Sequence, residues 1–117
     1  MRKAVALQLA ILLCLLVAPS AVRAQSFNGS IAGKVMDTTG AVVANADLVL
    51  KNVATGVELR RKSTDSGDYA FRNLVPGTYE LRANSAGFKP HVQKNVEVNV
   101  NSDVRVDVSL TIGGTTE

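Results

Sequence analysis

The chain has 117 residues, with 13 Lys and Arg against 10 Asp and Glu, one Cys, five aromatic side chains and no Trp. That length suits one small domain with a modest core and leaves no room for a membrane barrel or a second large domain. Arg2, Lys3 and Arg23 lie in the first 24 positions, which hold no acid, so the remaining charges balance. This excludes the basic surface that nucleic acid or anionic membrane would need.

The N-terminus reads as a secretory signal peptide. Arg2 and Lys3 form a positive head, Ala4 to Ala18 is apolar apart from Gln8, and Val22-Arg23-Ala24 offers tolerated residues before a cut. Cleavage is expected between Ala24 and Gln25, and domain bounds follow: a leader over 1–24, a domain over 25–112 and a tail over 113–117. The rival reading is an uncleaved anchor, for which the apolar run falls short of the ~20 residues of a span. Cys14 lies inside that run, where lipidation does not occur. Its loss with the leader leaves no disulfide, thiolate nucleophile or Cys ligand behind.

Beyond residue 28 the recurring period is two, that of half-buried strands. Ser30–Met36 reads as a first strand and Asp37-Thr38-Thr39-Gly40 as a turn. Ala46, Leu48 and Leu50 share one face of a second strand. Val57 to Ser63 is a third, with Val57, Leu59 and Arg61 on one side. Arg60-Arg61-Lys62 reads as a solvated face. Thr64 to Asp68 is a turn. Tyr69 and Phe71 share a face of the next strand, and Val75-Pro76-Gly77-Thr78 fits a type II turn with Gly at its third position. Tyr79, Leu81 and Ala83 then share a face, so residues 69–88 read as a central hairpin closed by the Ala86-Gly87 turn. Two final runs alternate regularly, Val96-Val98-Val100 and Val104 through Ile112. They read as a hairpin with one buried valine face. Some seven strands with frequent turn signals predict an all-β sandwich, with Tyr69, Phe71 and Tyr79 as core and the Tyr hydroxyls turned outward.

The series Gly33-Lys34-Val35, Thr64-Asp65, Gly67-Asp68-Tyr69, Phe71, Leu74-Val75-Pro76-Gly77-Thr78-Tyr79, Leu81 and Ala86-Gly87-Phe88 resembles the carboxypeptidase regulatory-like domain. The resemblance covers roughly residues 28 to 112. It implies a seven-stranded Greek-key sandwich of the transthyretin-like, carbohydrate-binding-like kind. Asp65, Gly67, Tyr69, Phe71, Leu74, Pro76, Gly77, Tyr79, Leu81, Gly87 and Phe88 are then fold-specifying. Gly67 and Gly77 are assigned to positions of positive φ or close packing, and Leu74 to plugging one end of the sandwich.

Domains of this family are accessories, among them the leading domains of TonB-dependent outer-membrane receptors. The arrangement of a leader running straight into the domain is similar to that case. It implies export to the periplasm or outer membrane and work by protein contact, through edge strands or a polar face. The chain would then be a fragment of a receptor or a free-standing domain, with the membrane touched only through a barrel it lacks or an uncut leader. A carbohydrate-binding or adhesive surface module is the alternative, with Phe27 and Phe88 as the candidate exposed aromatics.

No catalytic constellation is legible. His91 is the single histidine and reads as a surface residue, unlike the several histidines of transthyretin-like hydroxyisourate hydrolases. Asp65 and Asp68 are too few for a calcium loop. Nothing predicts a cofactor or a metal. Related surface sandwiches carry an internal Lys–Asn isopeptide bond. Lys34 lies in the first strand, but the assisting acid would fall near Ala83, so no such bond is expected. Asn28-Gly29-Ser30 matches a glycosylation sequon by accident.

Overall fold

The computed structural model describes residues 1–15 and 28–113. A helix, α1, spans Arg2–Leu15. No described helix is long and apolar enough to cross a membrane. Ala24, Gln25 and Phe27, and with them the expected cleavage site, lie outside the described residues.

Eight strands follow: β1 (Gly29–Asp37), β2 (Asp47–Asn52), β3 (Glu58–Lys62), β4 (Asp68–Leu74), β5 (Gly77–Asn84), β6 (His91–Val98), β7 (Asp103–Arg105) and β8 (Val108–Leu110). They form two sheets. In the first, β1 is central, antiparallel to β4 on one side and parallel to β7 and β8 on the other. The second runs β3-β2-β5-β6, antiparallel throughout. The facing sides bury a single core, with Ile31, Val35, Phe71, Val108 and Leu110 from the first sheet against Leu48, Leu50, Leu81 and Val98 from the second. Each fully buried side chain of that size contributes roughly 1.5–3 kcal/mol. With no disulfide among the described residues, that burial is the main stabilising term.

Two strands do not keep the period of two. Gly29 pairs with Leu74 but Ile31 with Phe71, so two residues of β1 face three of β4. Likewise Tyr79 pairs with Val96 but Leu81 with Gln93. The extra residues make β-bulges. Each bulge holds an asparagine at positive φ, Asn73 at 55° and Asn95 at 57°, a conformation that Asn tolerates better than other side chains except Gly. The first bulge lets Phe71 and Leu74, three apart, both point inward.

The line of β7 and β8 is a single register along β1, broken in the middle. Ser30 pairs with Asp103 and Val35 with Val108 at the same offset. At the break, Val106 N–H donates to Ala32 O (2.9 Å), and the Asp107 carboxylate accepts from Lys34 N–H (3.0 Å) where a backbone carbonyl would otherwise serve. Gly33 makes room for this. A Cβ there would lie 1.9 Å from Val106 O. Tyr69 O–H donates to the same carbonyl from the far side.

Several expectations are corrected. The last two apolar runs are not a hairpin: β6 belongs to one sheet, β7 and β8 to the other, and Asn99–Ser102 carries the chain between them. Residues 69–88 are not a hairpin either, since β4 and β5 lie in different sheets. Gly77 is not at positive φ and is not tightly packed. It opens β5 opposite Val98, and an added Cβ would meet nothing nearer than Asn52 Nδ2 at 3.8 Å. The Tyr hydroxyls do not reach out to water as expected: Tyr69 is held as above, and Tyr79 donates to Val75 O (2.6 Å). Val57, Val100 and Ile112 are exposed rather than part of a buried face. The count of seven becomes eight because Asp107 interrupts the last strand.

Candidate functional site

Because Leu48, Leu50, Leu81 and Ala83 face the core, their alternates form the outer face of the second sheet. Register sets those residues in rows. Lys62, Asp47 and Asn84 lie side by side, then Arg60, Val49, Arg82 and Val92, then Glu58, Lys51 and Glu80. The first two rows floor an open groove of about 860 Å³, closed at one side by Pro90 and Val92. Three of the groove cations have an acid beside them: Lys62–Asp47 at 2.9 Å, Arg82–Glu80 at 3.0 Å and Arg60–Glu58 at 3.5 Å. The Lys62–Asp47 and Arg60–Glu58 pairs are solvent-exposed and each is worth at most ~1 kcal/mol; in the third pair Glu80 is mostly covered while Arg82 is exposed. The pairs orient the guanidinium groups without tying them down, and Arg60 and Arg82 stand on either side of Val49.

All three residues of the basic triplet line the groove, but they point differently. Arg60 and Lys62 lie on the outer face. Arg61, opposite Leu48, leaves β3 on the other side and stays exposed at the sheet edge, its guanidinium 5.8 Å from the centre of the Phe71 ring and donating to Arg60 O (2.7 Å). A smaller apolar hollow of about 250 Å³ lies at one end of the sandwich, among Val57, Leu59, Leu74, Val75 and Tyr79.

The sequence motif does not converge on a site. Asp65 is exposed in the β3–β4 turn, where Gly67 N–H donates to Thr64 O (2.9 Å) and Thr64 N–H to Asp68 O (2.8 Å). Gly67 has φ 78°, and a Cβ there would lie 2.7 Å from Val35 O. Tyr69 and Phe71 meet edge to face with ring centres 6.0 Å apart, inside the core. Leu74, Tyr79 and Leu81 are buried, Pro76 is exposed, and Gly87 sits in a turn at φ 85°. Phe88, expected to be exposed, packs half-buried against the core and bridges to Ile112. Lys34 Nζ lies 3.9 Å from Asp68, and Ala83 is a core residue. His91 opens β6, partly covered, opposite Ala83. Among the described residues no three His, Cys, Asp or Glu gather as metal ligands would.

Sequence reading missed the role of Ser63, the buried polar residue of the described core. Its hydroxyl accepts from Ala46 N–H (2.8 Å) and donates to Val43 O (2.7 Å), pinning the loop that carries the chain from β1 to β2. A lone Ser after a strand gives no signal for this.

Residues 30–111 match the carboxypeptidase regulatory-like domain. The chain belongs to that family. It is a non-catalytic regulatory module with a two-sheet sandwich. The TonB-dependent transporter Oar of Myxococcus xanthus is 35% identical over 95 residues, covering 78% of this chain and 8% of Oar. The chain spans between 5% and 14% of the curated relatives it matches. Among solved structures, a putative carbohydrate binding protein from Bacteroides uniformis superposes with a TM-score of 0.59 at 22% identity, covering 71% of this chain and 41% of that one. The pilus adhesin RrgA of Streptococcus pneumoniae superposes at 0.53 with 30% identity, covering 62% and 9%.

Proposed function

We propose that the domain is an adhesive docking module of an exported protein, and that it grips its partner with the outer face of the β3-β2-β5-β6 sheet. The observation that carries this is the row Arg60, Val49, Arg82, Val92, which alternates a fork-shaped cation with an apolar side chain across the groove. Such a row suits a protein surface that offers carboxylates between small apolar groups. Strand addition is the alternative mode, and the edges are built against it. β3 is short, and four of its five residues are charged. β4 and β6 are bulged, and the β7–β8 line is broken.

Export rests on the leader reading, with a cut between Ala24 and Gln25. The likeness to Oar supports a place at the front of a TonB-dependent outer-membrane receptor. The likeness to RrgA supports an adhesive role. Carbohydrate is the second reading, favoured by the fold shared with the Bacteroides protein and by the planar hydrogen-bonding groups of Asp47, Asn84 and Arg82 in one groove.

Amide chemical shifts of the full chain would be followed while a receptor plug-and-barrel protein, or a panel of oligosaccharides, is titrated in. Saturable shifts centred on Val49, Arg60, Arg82 and Val92, lost in the Arg60→Glu/Arg82→Glu variant, are expected with one of the two. Shifts confined to the edges or the end hollow, or binding indifferent to that variant, would sink the proposal.

A further inference from the structure

We infer that the domain is built to carry tension between its two ends, with β1 and the β7–β8 line acting as a shear clamp. β1 is the first strand, β7 and β8 are the last, and they lie parallel and adjacent. Gly29, where the chain comes in, sits beside Asn99 and Ser102 at one end of the sandwich. The chain leaves past Leu110 at the other end, beside Phe88. Pulling the two ends apart draws β1 toward its N-terminus and β8 toward its C-terminus. That force runs along the strands and loads every bond between them at once. Antiparallel terminal strands would instead be peeled, one bond at a time.

The details of the contact fit this role. One register runs from Ser30–Asp103 to Asp37–Leu110 without a slip. Ser30 N–H donates to Ser102 O (2.9 Å), and its hydroxyl donates to the Asp103 carboxylate. The weak point, the break at Val106–Asp107, is cross-linked from both sides by Lys34 N–H to Asp107 and by Tyr69 O–H to Val106 O. Val108 and Leu110 are fully buried, and a one-residue slide would turn both to the wrong face. Beyond them, Lys89 N–H donates to Thr111 O (2.8 Å) and Gly113 N–H to Gly87 O (2.9 Å), fastening the outgoing segment to the loop that joins β5 to β6. The clamp holds whatever the sheet face binds.

The test is force spectroscopy on the full chain fused between two handle domains. Forced unfolding reads the unfolding barrier along the direction pulled, so two directions are compared. In the first, the handles pull at the N- and C-termini. In the second, one handle is attached through Thr38→Cys in a Cys14→Ser background and the other at the C-terminus. Both attachment points then lie at the same end, and the β1–β8 contact is peeled. A several-fold higher rupture force is expected in the first geometry, as one event that releases roughly 300 Å of chain, the extended length of residues 29–110. Tyr69→Phe and Asp107→Ala should lower the force in the first geometry more than in the second. Equal forces in the two geometries, stepwise lengthening before the main event, or indifference to both variants would overturn the inference.

Discussion

Gly33 and Gly77 look alike in the sequence, each opening or lying within a strand, and the structure assigns them opposite fates on substitution by Ala. A Cβ at Gly33 would fall 1.9 Å from Val106 O and 2.6 Å from Val106 C. Carbon–oxygen contacts rest at about 3.3 Å or more, so the backbone of the β7–β8 break must retreat by more than ~1 Å. Overpacking of that kind costs about 1–3 kcal/mol. The same retreat takes Val106 O away from Tyr69, and a buried hydroxyl without a partner costs about 1–3 kcal/mol more. Gly33→Ala should therefore lose about 2–6 kcal/mol, a large share of the roughly 5–15 kcal/mol typical of a domain. At Gly77 the added methyl meets only Asn52 Nδ2 at 3.8 Å and the backbone is not at positive φ. Gly77→Ala should be neutral or gain about 0.4–1 kcal/mol by stiffening the unfolded chain. Urea denaturation followed by circular dichroism measures both, with the midpoint moving at constant slope. If Gly33→Ala stays within ~0.5 kcal/mol of the parent, the account of the break is wrong; if Gly77→Ala loses more than ~1 kcal/mol, the open, unstrained setting assigned to Gly77 is wrong.

Ser63→Ala should cost about 1–3 kcal/mol, because it strands Val43 O and Ala46 N–H in a buried loop; the same denaturation curve checks it. Asp37 accepts from Thr39 Oγ1 (2.6 Å), Thr39 N–H (2.8 Å) and Ala41 N–H (3.0 Å), and these bonds hold its carboxyl below its ordinary 3.8. A lowered pKa stabilises the fold above 3.8 and that contribution fades as pH falls through the folded value. An Asp37→Asn variant should therefore lose less stability than the parent between pH 4 and pH 2, read from urea midpoints across that range. Burial, with Asp107 adding to it, pushes the Tyr69 phenol well above its ordinary 10.0. The unfolded chain ionises first, so stability should be full below pH 10 and fall above it. In a Tyr79→Phe background, ultraviolet titration of the remaining phenol should show its ionisation delayed until the fold is lost; ionisation near 10 in a folded protein would contradict this.

Much of the fold was legible because a half-buried strand writes itself as alternation. Ile31 with Val35, Leu48 with Leu50, Tyr69 with Phe71 and Tyr79 with Leu81 all fall inward as the pattern requires. The turns at Asp37–Gly40 and Thr64–Gly67 were legible too, since Asp, Thr and Gly satisfy or permit local backbone geometry by themselves. Family membership followed from the same residues. The bulges left a faint trace, an Asn breaking the alternation at residue 73 and again at 95, but alternation alone cannot say which residue a strand skips.

Partnership between strands is what the tertiary structure decided. Two alternating runs joined by a short polar break can turn back on each other or cross to another sheet, and the local sequence is the same in both cases. The choice for β6 and β7 depends on Gly33, seventy residues away, where a missing Cβ admits the Val106 carbonyl. The groove depends on distant strands in the same way. Arg60, Val49, Arg82 and Val92 come from four strands and become neighbours only through register. A sequence states which face each side chain takes along its own strand; only the packed sheets state which strand lies next to it, because non-local contacts, and not local preference, set that order.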